Sequence, residues 1–294
     1  MTGFPKQGYH RTGDGAQYGM TFREKLAHAV QTNGSLLCVG LDPDPTRIVG
    51  DDVAPFLRAI VEATSDLVCA YKPNLAFYEQ MGAEGYAALR SVLQTIPDHI
   101  PVIGDAKRGD VANTAQAYAR ALFDELGFDA VTVNPYLGGD AVAPFIERAD
   151  RGVFIVCRTS NPGARDLQDL PVAGEEGTLP LYQRVAQLAR SWNSGGNVGL
   201  VVGATYPDDM RDLRRLCPDM IFLVPGIGPQ EGELERAVAA GLDEHGAGII
   251  INASRAVLYA SAGAGFAQAA RRAAQALRDA IEEHRRAART GTAV

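Results

Sequence analysis

Apolar runs punctuate the chain at regular intervals, and most of them stop at a polar or charged residue. From residue 35 onward they occupy 36–42, 67–74, 102–107, 130–135, 152–158, 198–204, 220–225 and 248–252. They are solid apolar segments, as expected of strands covered on both faces, in contrast to the alternating pattern of a half-exposed sheet. Between them the apolar residues recur with helical spacing, predicting helices over 53–65, 82–95, 113–126, 141–149, 181–192, 207–216 and 231–240, with Pro207 suited to a first helical turn. A further helix over 22–30 is placed to close one end of the assembly, and an Ala- and Arg-rich helix over 268–289 to cover the exterior. Eight strand–helix alternations predict an α/β fold, a (β/α)8 TIM barrel, with an open doubly wound sheet as the rival.

The ends of the runs carry the candidate chemistry. Asp42, Lys72, Asn74, Asp105, Lys107, Asn134, Arg158 and Asn252 all fall at the C-terminal ends, the face on which barrels of this kind carry their sites. The densest stretch is Val102-Ile-Gly-Asp-Ala-Lys-Arg-Gly-Asp110. Residues two apart on a strand share a face, so Asp105 and Lys107 are expected to project together, whereas Asp110 lies past the strand. Lys72 belongs beside them, and the four charges can alternate in sign. Such a cluster is either a structural ion-pair network or a catalytic site, since charges are costly to bury unpaired. Lys72 alone also reads as a snorkelling side chain or a Schiff-base nucleophile.

A second candidate lies after the seventh and eighth strands. Gly226 and Gly228 allow close backbone approach to an anion, and Asn252-Ala-Ser-Arg255 opens a helix with a bidentate cation. These are the usual phosphate-binding positions in a barrel. A tight turn and a helix start with a surface arginine would look the same. The segment from Thr159-Ser-Asn-Pro-Gly163 to Pro180 reads as a long loop, either a lid or a plain surface excursion.

Composition narrows the classes. The 294 residues suffice for one barrel domain over 21–294, preceded by a flexible tail over 1–20. The net charge of -7 supplies no general field for a nucleic-acid partner. No apolar run reaches the length of a membrane span, and no secretory leader is evident. The four cysteines form no C-x-x-C pair and read as buried free thiols, which points to the cytoplasm.

Asp105-x-Lys107-x-x-Asp110, preceded by Gly40-Leu-Asp42 and Lys72-Pro-Asn74, resembles the orotidine 5'-phosphate decarboxylases, in particular their longer bacterial-type branch. Thr159-Ser-Asn-Pro-Gly163, Pro225-Gly-Ile-Gly228 and Asn252-Ala-Ser-Arg255 match in order, so the resemblance runs from about residue 35 to 259. It implies decarboxylation of orotidine 5'-phosphate to uridine 5'-phosphate in pyrimidine biosynthesis, without a metal or other cofactor. Lys107 would deliver the proton, Asp105 would face the departing carboxylate, and Asp42 and Lys72 would contact the ribose. Ser160 would meet the pyrimidine, while Gln230 and Arg255 hold the phosphate in a loop shaped by Gly226 and Gly228. Asp110 and Thr114 would reach into the site of a second subunit, making a homodimer. The D-x-K-x-x-D element is shared with magnesium-dependent sugar-phosphate decarboxylases and synthases, which stand as the alternative, with a catalytically silent phosphate-binding barrel behind them.

Overall fold

The computed structural model describes residues 19–174, 177–226 and 231–290. The strands are β1 (Leu37–Gly40), β2 (Ala70–Lys72), β3 (Ile103–Arg108), β4 (Ala130–Val133), β5 (Gly152–Arg158), β6 (Pro171–Gly174), β7 (Gly177–Pro180), β8 (Val198–Val202), β9 (Phe222–Val224) and β10 (Ile249–Ala253). The helices are α1 (Phe22–Asn33), α2 (Val53–Thr64), α3 (Ala76–Glu79), α4 (Gly82–Leu93), α5 (Ala112–Arg120), α6 (Gly139–Ile146), α7 (Leu181–Trp192), α8 (Pro207–Leu216), α9 (Glu231–Gly241), α10 (Arg255–Leu258) and α11 (Phe266–Thr290). A π-helical turn, Ala121–Glu125, continues α5.

Eight strands pair in parallel in the order β2-β1-β10-β9-β8-β5-β4-β3. The edge strands meet through parallel bridges Tyr71↔Val102 and Asn74↔Asp105, which bring the sheet round into a barrel. This seam is looser than the other junctions. Pro73 has no N–H to donate, and the chain crosses it by Asp105 N–H to Pro73 O (2.9 Å) and Leu75 N–H to Asp105 O (3.2 Å).

The two-residue period of a strand sorts the side chains. Cys38, Ala70, Ile103, Ala130, Phe154, Val201, Leu223 and Ile250 form one buried cluster, the barrel interior. Their neighbours, such as Leu37, Val39, Tyr71, Val131 and Val133, join the larger core that also takes in the helices. Stepping two residues further along the inward face leads from Ala70 to Lys72, Ile103 to Asp105, Ala130 to Thr132 and Ile250 to Asn252. One inward face therefore turns from apolar to polar towards the C-terminal rim. The other end is stoppered by α1, whose Phe22 and Leu26 join the interior cluster. Phe22 meets Phe154 edge-on at 5.7 Å. Thr21 and Glu24 close a capping box at the start of this helix, and Gly34 ends it with φ +54°.

The expected long loop before Pro180 is structured. It holds a 3-10 turn, Pro162–Asp166, and the antiparallel β6–β7 hairpin paired from Pro171↔Pro180 to Gly174↔Gly177. These strands are short and mostly exposed, so they carry no apolar pattern that would announce them. The tail over 1–20 lies almost entirely outside the described residues. Cys38, Cys69, Cys157 and Cys217 are free and buried. Burial pushes the Cys38 thiol up to about 12 and that of Cys217 to about 11, so both stay protonated at neutral pH.

Arg214 is the main polar anchor of the wall. Its Nε and Nη2 donate to Gly241 O, Nη2 also to Gly248 O, and Nη1 to the carbonyls of Cys217, Pro218 and Met220, at 2.7–3.1 Å. The guanidinium lies 3.8 Å from the centre of the Phe222 ring. Arg214→Met keeps the apolar stem but removes the guanidinium donors, leaving Gly248 O and Cys217 O with the N–H groups of Phe222 and Met220 alone, and a loss of about 3–5 kcal/mol is expected by urea denaturation. A loss below about 1 kcal/mol would contradict the anchoring role.

Candidate active site

Asp105 is the centre of the polar rim, with 8% of its surface exposed. Its Oδ2 accepts from Lys72 Nζ at 2.9 Å, and its Oδ1 from Lys107 Nζ at 2.5 Å and Thr132 Oγ1 at 3.0 Å. Burial by itself would raise the carboxyl, but the ammonium groups of Lys72 and Lys107 overcome it and hold Asp105 well below the usual carboxylate range. Burial would likewise lower Lys72, yet the carboxylates of Asp105 and Asp42 hold it above an ordinary lysine. Both groups are thus fixed in their charged forms before any ligand binds.

The two lysines differ in access. The Lys72 side chain is 4% exposed and that of Lys107 46%, so Lys107 is the more accessible of the two cations. Its position comes from a bulge. Gly104 pairs with Val131 and Arg108 with Val133, so β3 carries two residues more than β4 over that stretch. Lys107 takes φ +47°, a conformation that side-chain-bearing residues rarely adopt. Its backbone N–H, lost to the ladder, donates to Thr132 Oγ1 at 2.9 Å. Arg108 braces the bulge by donating Nη1 to Ala106 O at 2.9 Å and by its ion pair with Glu79.

Asp42 lies on the neighbouring strand end. Its Oδ1 accepts from Asn74 N–H at 3.0 Å. Across from it, a Cβ on Gly40 would lie 1.8 Å from Ser254 Oγ and 3.1 Å from Asp42 Oδ2, so only glycine lets the turn after β10 approach β1. Arg255 follows Ser254 and is exposed at the start of α10. Gly226, with φ +93°, ends the described part of the β9 turn. Gly228 and Gln230 lie outside the described residues. Since all these strands are parallel, Lys107 and Arg255 sit on the same rim.

Ser160 packs against Gly203, just after β8, and Gly226. A Cβ on Gly203 would lie 2.9 Å from Ser160 N, and one on Gly226 3.3 Å from Ser160 Oγ. The loop behind Ser160 is held in place. Thr159 N–H donates to Gln168 Oε1 (2.9 Å), and Gln168 Nε2 returns a bond to Thr159 Oγ1 (2.7 Å). Arg158, a rim residue in the sequence pattern, turns out to be a latch. It is buried against the Tyr182 and Tyr206 rings and paired with Asp169 at 2.5 Å and Asp209 at 2.8 Å.

The four-charge alternation does not close within one chain. Lys72, Asp105 and Lys107 are joined, but Asp110 Oδ1 accepts from Val111 N–H at 2.7 Å at the start of α5. Thr114 stands in the first turn of the same helix, partly buried. Val111, next to Asp110 in the chain, and Tyr136 and Leu137, which follow β4, are exposed by 56%, 80% and 47%. Sequence reasoning missed Thr132 and the latch partners Gln168, Asp169 and Asp209. Only Thr132 had a usable signal, a hydroxyl in an otherwise apolar strand two residues from an inward alanine. Among the described residues no group of three or more His, Cys, Asp or Glu side chains could hold a metal ion.

The fold and rim define a parallel barrel that carries a lysine-clasped carboxylate and an exposed arginine at the C-terminal ends of its strands. Residues 35–278 match the model of the orotidine 5'-phosphate decarboxylase / HUMPS family, and the chain belongs to that family. It is 60% identical over 247 residues to the orotidine 5'-phosphate decarboxylase of Thermomicrobium roseum, covering 82% of this chain and 87% of that protein. The corresponding figures for the Roseiflexus sp. enzyme are 53% over 249 residues, 82% and 89%. The solved structure of Leishmania donovani OMP decarboxylase superposes with a TM-score of 0.80 at 42% identity, covering 90% of this chain and 99% of that one.

Asp105→Asn would leave the buried Lys72 ammonium without its ion-pair partner, with only the carboxylate of Asp42 still acting on it. A loss of about 3–5 kcal/mol at neutral pH is expected in denaturant melts. Because the folded Asp105 carboxyl is held below its ordinary 3.8, its contribution is present above that value and fades as pH falls below it. Acid titration of stability should therefore be flatter for the variant than for wild type below about pH 4. Parallel curves would show that the clasp is not what Asp105 contributes.

Proposed function

We propose that this chain decarboxylates orotidine 5'-phosphate to uridine 5'-phosphate. The observation that carries this reading is the Asp105 carboxylate pinned between two lysines, one buried and one half-exposed at the rim. A substrate carboxylate placed against Asp105 meets a fixed negative charge, which favours its departure as carbon dioxide. The electron pair left on the ring carbon lies beside the Lys107 ammonium, which stabilises it and then donates the proton. Lys72 and Asp42 are placed to take the ribose hydroxyls, and Ser160 the pyrimidine edge. Arg255 is assigned the phosphate together with Gly226 and with Gly228 and Gln230, which lie outside the described residues. Binding energy from that remote group can be used to hold the reacting carbon against Lys107.

The working unit in this reading is a homodimer. Exposed Val111, Tyr136 and Leu137 suit a second copy of the chain, and Asp110 and Thr114 would reach into the partner's site, where Asp110 would complete the charge array. Buried free thiols fit a cytoplasmic setting. Among the described residues no helix is long and apolar enough to cross a membrane.

The test follows loss of orotate-ring absorbance in the presence of EDTA. Turnover is expected, and Lys107→Ala should lower kcat by roughly 10²–10⁴-fold. Full turnover by that variant would remove Lys107 as proton donor. Inactivity restored only by magnesium, on a sugar phosphate, would select the alternative chemistry. For the shared site, mixing Asp110→Asn with Arg255→Ala subunits should restore about a quarter of wild-type activity, because half the dimers then hold one intact site. No recovery in demonstrated heterodimers would contradict sharing.

A further inference from the structure

We infer that Thr132 is a positioning residue for the reaction. Its hydroxyl sets both the backbone of Lys107 and the carboxylate of Asp105. The inference rests on the decarboxylase reading above. Thr132 lies on the inward face of β4 and is 1% exposed. Its Oγ1 stands 2.9 Å from the Lys107 backbone nitrogen and 3.0 Å from Asp105 Oδ1. The direction of both bonds is fixed by chemistry. A backbone N–H only donates and an ionised carboxylate only accepts, so the single hydroxyl proton points at Asp105 and its lone pair at Lys107.

This arrangement meets two needs at once. The bulge in β3 takes the Lys107 N–H out of the ladder, and an amide left unpaired there would be costly. Thr132 supplies the missing acceptor and so helps hold Lys107 at φ +47°. On the other side, Lys107 Nζ and Thr132 Oγ1 share Asp105 Oδ1. When the ammonium gives up its proton, that oxygen loses its cationic partner. Thr132 remains as a neutral donor that does not leave, keeping the carboxylate in its rotamer through the step. A residue that merely filled space would not need the hydroxyl, because valine has nearly the same shape.

The test compares Thr132→Val, Thr132→Ser and wild type on orotidine 5'-phosphate, with amide exchange at Lys107 followed in parallel. For Thr132→Val, kcat should fall roughly 10- to 100-fold, with KM moving less than about threefold, since the lost bonds act on the transition state. Thr132→Ser, which retains the hydroxyl, should stay within about threefold of wild type in kcat. The Lys107 amide should exchange at least about tenfold faster in the valine variant and not in the serine one. If Thr132→Val does not fold, Thr132→Cys takes its place, because a thiol is small but a poor hydrogen-bonding group. Wild-type kcat in the valine or cysteine variant, equal losses in valine and serine, or a loss confined to KM would each overturn the assignment. If wild type itself fails to turn over this substrate, the decarboxylase reading falls. The exchange measurement then decides alone, and unchanged exchange at Lys107 overturns the role given to Thr132.

Discussion

The rim is organised by one electrostatic arrangement, a buried carboxylate held between two ammonium groups where the barrel closes. Neither Lys72 nor Asp105 is tolerable alone in that position, since desolvating an unpaired ion costs more than a single packing contact returns. Together they are stable, and Lys107 makes the cluster net positive with its third charge exposed. The cluster sits at the β2–β3 seam, which Pro73 interrupts on one side of Asp105, while the β3 bulge breaks the β3–β4 ladder on the other. Irregular backbone and concentrated charge thus coincide.

The rest of the barrel keeps that seam in register. The inward face is apolar below the charges, and α1 plugs the far mouth. The latch of Arg158, Asp169, Asp209 and the Thr159–Gln168 pair fixes the loop that carries Ser160 against Gly203 and Gly226. A site assembled this way meets its ligand with dipoles and charges already aimed. Little reorganisation is then left for the chemical step.

Much of this was legible in the chain. Solid apolar runs ending in Asp42, Lys72, Asp105 and Asn252 report strands covered on both faces and a polar rim, because strand side chains repeat every two residues. The helices over 181–192 and 207–216 matched residue for residue, since their amphipathic patterns are strong. What escaped depends on three-dimensional neighbours. The β6–β7 hairpin is exposed and lacks an apolar signal. Arg158 looked like a rim residue because its partners Asp169 and Asp209 are distant in sequence from the strand end. The bulge at Lys107 has no local marker, as no glycine occupies the positive-φ position. Asp110 could be placed past the strand but not oriented, and within one chain its carboxylate turns to Val111 N–H.

The claim most open to direct measurement is that Asp105 stays ionised, clasped by both lysines, in the ligand-free protein. Carbon-13 NMR of labelled aspartate carboxyls across an acid titration reads this at the atom concerned. The account predicts that the Asp105 resonance remains that of a carboxylate down to about pH 3 or below, as for a group held by two cations. Titration near the ordinary aspartate value of about 4 would contradict it.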